Sequence, residues 1–320
     1  MSLINPRVDI AFKKIFGVEE NKDMLMSLLN SIISEEDQID DIELLNPYNE
    51  RNFKKDKLSV LDIKARNKAS QTYFLIEMQL AEEMDYAKRG LFSWARVYSN
   101  QIGSGDQYKK LNKTIAIHIL NFTFINYKKT KGWTEFAPHK YHHRFVLSDK
   151  DTGIEIFHDL EIHTIELSKF DAIDDDDLNE VMSKVKDMLD TWLVILTKYD
   201  LLDAKNLPEK INKPEIRKSL KVMQEMNLSA TEREIYNSHL DFLRMEYGAL
   251  ESRFEAGKAE GIQEGIEKGK AEGKAEGELK TKLEIAKNLI AKGFDDKTIF
   301  ELTGLSLAEI KKYTKKTIKG

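Results

Sequence analysis

Two short apolar runs, SVLDIKA (59–65) and YFLIEMQL (73–80), limit the folds open to this chain more than any other feature. Both carry β-branched residues, the second also aromatic ones, and both are only seven or eight residues long, the pattern of strands rather than of a buried helix. Each carries an acidic residue, Asp62 in the first and Glu77 in the second. A carboxylate inside a core strand is costly unless something pairs with it. Glu77 and Gln79 are two apart and share one face of their strand. A hairpin joining the runs brings Asp62, Glu77 and Gln79 to one edge of one sheet. A divalent cation shared by the carboxylates accounts for their presence. Mg²⁺ suits that donor set, because it takes one or two carboxylates, waters and a phosphate oxygen. Two plainer readings stand beside this one. Asp62 pairs with Lys64 or Arg66 at the surface, and Glu77 with Gln79 forms the polar face of an amphipathic strand.

The rest of the chain predicts an α/β succession around a mixed sheet. Residues 5–33 carry a helical apolar stripe, with Gly17 and Asn21 marking a break between two helices. Strands are expected at 40–45, 59–65 and 73–80, a long helix at 84–111, a strongly apolar strand TIAIHIL at 114–120, and further strands at 143–148 and 154–167. From 176 to 254 the pattern is helical, with breaks at Pro208 and Pro214. Glycine then recurs every fourth residue from 257 to 277, among Glu, Lys and Ala. Each glycine costs a helix about 0.8–1 kcal/mol against alanine. This repeat is either a flexible charged connector or a self-association helix. Residues 279–319 hold ten Lys and five acidic residues, arranged as two short helices joined near Thr303-Gly304-Leu305, with Ser306 capping the second. The expected domains are thus 1–175, an α/β core; 176–254, a helical region on it; 255–278, the glycine repeat; and 279–320, a small basic helical tail.

Composition removes several function classes. With 50 basic and 55 acidic residues the formal charge is −5, so global charge does not argue for nucleic acid. There is no cysteine, hence no disulfide framework and no thiolate zinc site, which fits a reducing cytoplasm. No signal-peptide pattern opens the chain, and no run approaches the ~18 apolar residues of a membrane span. HKYHHRF, with His139, His142 and His143, leads into a strand pattern, where helical ligand spacing fails. The run Asp174–Asp177 lacks the glycine and distal glutamate of a calcium loop and reads as a helix-starting charge run.

DIAFKKIF (9–16), LDIKA (61–65), FLIEMQ (74–79) and then Arg89, Tyr98, Gln101, Gly105 and Tyr108 occur in a characteristic order. HDLEIHTIELSKF (158–170) and the glycine-repeat tail follow. Together these stretches resemble the Rpn family of recombination-promoting nucleases and transposase-like proteins, in the PD-(D/E)xK nuclease superfamily. The resemblance covers most of the chain. It implies a restriction-endonuclease-like α/β core, a four-stranded mixed sheet flanked by helices, with a helical C-terminal extension. It implies Asp62 and Glu77 as metal ligands and Gln79 where the superfamily usually has lysine. Glutamine can orient a water but brings no charge, so either Gln79 positions the water and the metal supplies the activation, or a lysine from elsewhere fills in: Lys64, two residues after Asp62, or Lys13 on the first helix. Asp9 is either a third acidic group or a helix-start charge paired with Lys13 one turn later; Arg89 and Gln101 are candidate phosphate contacts, and Arg89 and Tyr98 are as much structural as functional candidates. The implied activity is Mg²⁺-dependent cleavage of DNA, with Mn²⁺ able to substitute, in recombination or mobile-element biology and without membrane involvement. Two other classes stay open: a DNA-binding or assembly protein with a weak nuclease fold, and a regulatory interaction protein that works through its helical C-terminal half. A double-strand cut would require two copies, so a homodimer is expected with the first reading.

Overall fold

The computed structural model describes residues 3–48, 62–81, 85–125, 140–171, 177–306 and 308–310. They fall into two compact units, Met1–Arg244 and Met245–Gly320.

The first unit is built on one six-stranded sheet. Its strands are β1 (Ile42–Leu44), β2 (Ile63–Asn67), β3 (Tyr73–Gln79), β4 (Thr114–Leu120), β5 (His142–Leu147) and β6 (Phe157–Glu166), in the spatial order β1-β2-β3-β4-β6-β5. β1, β2 and β3 run antiparallel in turn, β3, β4 and β6 are parallel, and β5 returns antiparallel along β6. The sheet is mixed, as expected, and its six strands fall on the six strand patterns of the sequence, β1 and β5 forming an edge on each side of a four-stranded core. β4 is buried at every position, which is why TIAIHIL lacks the alternation of a half-exposed strand.

Alternation along β3 and β4 divides the core in two. Phe74, Ile76, Met78, Ile115, Ile117 and Ile119 face one way. They pack against α1 (Asp9–Phe16), α2 (Lys22–Asn30), α6 (Met188–Thr197) and α7 (Pro214–Glu225). α4 (Leu167–Asp171) and α5 (Leu178–Lys184) complete this side through Phe170 and Val181. Trp192 of α6 is fully buried, edge-on to Phe16 at 5.4 Å. Leu75 and Ala116 face the other way, against Trp94 of α3 (Tyr86–Ser99). α3 is thus the crossover between parallel strands β3 and β4 and covers the face that carries Glu77 and Gln79.

α3 ends at Ser99 and not near 111 as the apolar pattern predicts. Gln101 explains the stop. Its amide donates to the Asn112 carbonyl and the Thr114 hydroxyl and accepts from the Asn112 amide, pulling the chain out of the helix and back toward β4. Pro214 stands in the first turn of α7, where its missing N–H costs nothing.

α8 (Ala230–Ala291) contributes Tyr236 and Leu243 to the first unit, against Val8, Ile10 and Ala11. In the second unit the glycine repeat is helical throughout, as part of α8, and its residues are exposed. It is not an irregular connector. Extending an existing helix avoids the nucleation cost, and the intervening Ala, Glu and Lys are strong helix formers. α9 (Asp296–Thr303) follows, and Ala286, Ile299, Leu305 and Ile310 form a small core. Ser306 and Glu309 form a reciprocal cap at the next turn. Among the described residues, no helix is long and apolar enough to cross a membrane.

Candidate active site on the α3 face of the sheet

Register brings the acidic residues together. β2 pairs Ile63 with Ile76, so Asp62, one residue before the ladder, falls opposite Glu77. β3 pairs Glu77 with His118 of β4. Partners directly across a ladder lie on the same face, about 5 Å apart at Cβ. Asp62, Glu77 and His118 therefore form one row across three adjacent strands. Two carboxylates side by side repel, so cations must stand near. Lys64 Nζ is 3.0 Å from Asp62 Oδ2. Arg89, from the first turn of α3, donates to Gln79 Oε1 at 3.0 Å, and its charge acts on both Glu77 and Asp9.

Burial alone pushes the Glu77 carboxyl up, but His118, Arg89 and the Ser93 hydroxyl outweigh it and hold the group below the ordinary glutamate value. His118 Nδ1 stands 3.6 Å from Glu77 Oε2, long for a hydrogen bond and close enough for a strong electrostatic contact. Gln79 also donates from Nε2 to the Ala81 carbonyl at 3.2 Å, so its amide is anchored at both ends.

Asp9 lies near this row through α1. Burial pushes its carboxyl up to about 7, Arg89 opposes that, and Glu77 adds to it. Oδ1 is buried without a hydrogen-bond partner, and Oδ2 is 3.9 Å from His239 Nδ1. The sign follows from proton binding. Between the ordinary value of 3.8 and about 7 the folded state holds a proton that the unfolded state has lost, so stability falls as pH rises through that window. Asp9→Asn removes the fall. Its stability relative to wild type should grow by at most about 2.7 kcal/mol from pH 5 to pH 8, since about two pH units of the window lie in that range. Urea unfolding at the two pH values measures it; an equal difference at both would mean that Asp9 titrates normally.

Lys13 follows Asp9 by one turn but does not pair with it. Its fully buried amine donates to the carbonyls of Asn46, at 2.8 Å, and Asp62, at 2.6 Å. Burial lowers its pKa to about 8, with Asp62 raising it and Lys64 lowering it. Asn46 completes a clamp: Nδ2 donates to the Asp62 carbonyl and Oδ1 accepts from the Lys64 amide. Of the two lysine candidates, Lys13 holds the backbone that presents Asp62, while Lys64 reaches the carboxylate itself.

Tyr98 and Gln101 are not brought to this row. Both come from the far end of α3. The Tyr98 hydroxyl donates to Asp159, and its ring stacks on Trp94 at 5.0 Å. Gln101 is held by Asn112 and Thr114 as described, so it fixes the α3–β4 connection instead of facing a phosphate. His139 lies outside the described residues. His142 and His143 point to opposite faces of β5, and His142 Nε2 meets His163 Nδ1 at 2.8 Å. Residues 174–176 lie outside the described residues, and Asp177 caps α5 by accepting from the Asn179 amide.

Sequence reasoning missed His118 and Asn46. His118 had a signal: it is the one histidine in an otherwise apolar strand core, at a parity that faces Glu77. Asn46 had none, because it sits in a loop.

Among the described residues, no group of three or more His, Cys, Asp or Glu side chains is placed to hold an ion by itself. A Mg²⁺ site needs fewer, since waters and substrate oxygens complete it. Asp62 and Glu77 are hard oxygen donors on one sheet face, and the buried Asp9 Oδ1, which has no hydrogen-bond partner, is a further oxygen near Glu77. The residues fit a divalent metal.

A mixed sheet with helices on both faces and this strand-edge pair of carboxylates define a PD-(D/E)xK nuclease fold. Residues 6–252 match the family described as PD-(D/E)XK nuclease family transposase, and residues 279–315 match the C-terminal helix-turn-helix domain of the Rpn/YhgA-like nuclease family. The chain belongs to the PD-(D/E)XK nuclease family transposases, with an Rpn-type C-terminal domain. Comparison with curated proteins and with solved structures returned no match.

Proposed function

We propose that this protein is a Mg²⁺-dependent DNA endonuclease that acts in recombination or mobile-element biology, with Mn²⁺ able to substitute. The observation that carries the reading is the register placing Asp62 opposite Glu77, with Lys64 3.0 Å from Asp62. Asp62 and Glu77 would hold the ion. A divalent metal there supplies Lewis-acid polarisation of the phosphate and a bound water of lowered pKa. Lys64 supplies the positive charge that lysine usually supplies at the Gln79 position, and balances Asp62 before metal arrives. Arg89 and the Ala81 carbonyl fix Gln79, whose amide orients groups at the same edge. The helix-turn-helix domain supplies DNA affinity, and a homodimer would present two such sites for a double-strand cut.

Cleavage of supercoiled plasmid in Mg²⁺, Mn²⁺, Ca²⁺ or EDTA tests the reading. Nicking in Mg²⁺ and Mn²⁺ that stops in EDTA is expected. DNA binding that weakens with salt, with no cleavage in any metal, would favour instead a DNA-binding or assembly protein, a reading that Gln79 keeps open.

Restoring the superfamily lysine should not help. In Gln79→Lys the acceptor beside Arg89 becomes a cation 3 Å-scale from a guanidinium, a like-charge pair costing about 1 kcal/mol or more. Nicking should fall about tenfold or more. A faster variant would show that Gln79 is a catalytic deficit and not a partner of Arg89.

A further inference from the structure

His118 is nearly fully buried, and neither of its ring nitrogens has a hydrogen-bond partner at normal distance. Its surroundings leave the ring little freedom. Tyr86 stands edge-on at 5.8 Å, with rings at 90°. Above it α3 passes at Gly90, where an added Cβ would come 3.3 Å from the His118 Cε1 and 3.4 Å from Nε2. Glycine at 90 lets the helix rest directly on the imidazole. The ring cannot swing away, and Nδ1 faces Glu77 Oε2 at 3.6 Å. A polar ring in the middle of an apolar strand, uncompensated except by one carboxylate, is expensive to keep.

We infer that His118 is a positioning residue for Glu77: with its proton on Nδ1 the ring points at Oε2 and fixes the carboxylate toward the edge of the sheet where Asp62 stands. This rests on the nuclease reading above. In this role His118 acts only through Glu77, which its Nδ1 faces. Partners that orient a ligating carboxylate typically matter 10–100-fold in metal affinity or activity.

The test uses the full-length protein, with His118→Phe and His118→Asn. Phenylalanine keeps the ring and the packing under Gly90 but removes the donor; asparagine keeps an N–H near the Nδ1 position. The first readout is nicking as a function of Mg²⁺ concentration. His118→Phe should nick about 10–100-fold more slowly at low Mg²⁺ and need more Mg²⁺ for half-maximal rate, while His118→Asn recovers most of the loss. The second readout is ¹⁵N NMR of the ring, which needs no activity. Nδ1 should carry the proton in the wild type, and the tautomer should change in Glu77→Ala. Equal nicking by His118→Phe and wild type, no difference between Phe and Asn variants, or a tautomer indifferent to Glu77 would each overturn the inference and leave the nuclease reading intact. A wild type that does not nick in any metal would overturn the nuclease reading itself, and with it the role assigned to His118.

Discussion

If the proposed nuclease reading holds, Glu77→Gln should lower the rate of plasmid nicking at least about a thousandfold, a loss of some 4 kcal/mol in transition-state stabilisation. The substitution keeps size and shape and removes one charge. Glu77 is the residue on which the site converges: it stands between Asp62 and His118 in the row, and Arg89 and Ser93 help to keep it ionised despite burial. An amide in its place cannot offer a hard anionic oxygen to a divalent ion. The fold should not suffer. Glutamine can still contact His118 and Ser93, and removing the Glu77 charge takes away one of the influences that raise the Asp9 pKa. A melting temperature within a few degrees of wild type, together with the lost nicking, is the expected pair of results. Unchanged nicking would remove Glu77 from the chemistry.

The second large effect is on stability, away from the site. Glu161 of β6 is almost fully buried and gathers three partners: His163 Nε2 at 2.7 Å, Arg144 at 2.8 Å and Lys113 at 3.0 Å. Lys113 continues to Asp37, and His163 to His142. Glu161→Leu fills the volume but takes the carboxylate away from His163 and Arg144 and leaves Lys113 with Asp37 alone. Breaking one partner out of a buried ionic network costs about 3–5 kcal/mol, a melting temperature lower by roughly 6–20 °C for a unit of this size. The pH dependence identifies the cause. Burial pushes the Glu161 carboxyl up, but its three partners hold it well below the ordinary 4.5. Its contribution is therefore present above about pH 4.5 and is lost as pH falls below that. The deficit of Glu161→Leu should be full at pH 7 and shrink toward pH 3, as followed by chemical unfolding. His142 adds a separate acid sensitivity. Burial and the neighbouring His163 lower its pKa to about 4, so the wild type loses stability as pH falls from 6.5 toward 4.

Legibility from sequence followed the length scale of the interaction. β3 and β4 could be read from YFLIEMQL and TIAIHIL because burial on both faces writes itself into composition. The Glu77-x-Gln79 spacing gave a shared face because strand parity is local. The end of α3 could not be read, because Gln101 leaves the helix to bond Asn112 and Thr114, a contact that periodicity does not encode. The edge strands β1 and β5 were legible too, at 40–45 and 143–148, and they flank the four-stranded core that the family resemblance implies. Lys13 shows the limit most clearly. Its place one turn after Asp9 suggests a pair, yet its amine goes to the carbonyls of Asn46 and Asp62, residues 33 and 49 positions away. Gly17 makes this possible, since a Cβ there would lie 2.7 Å from the Lys13 stem. The glycine repeat was ambiguous because its helix is sustained by extension of α8 rather than by its own propensity.

The central claim is that Asp62 and Glu77 share one divalent ion. Mn²⁺ titration followed by electron paramagnetic resonance, on wild type and Asp62→Asn with a non-cleavable DNA duplex present, tests it directly. Loss of one of two protein ligands should weaken Mn²⁺ binding at least about a hundredfold. Equal Mn²⁺ affinity in the two proteins would contradict the account and place any metal used by this chain elsewhere.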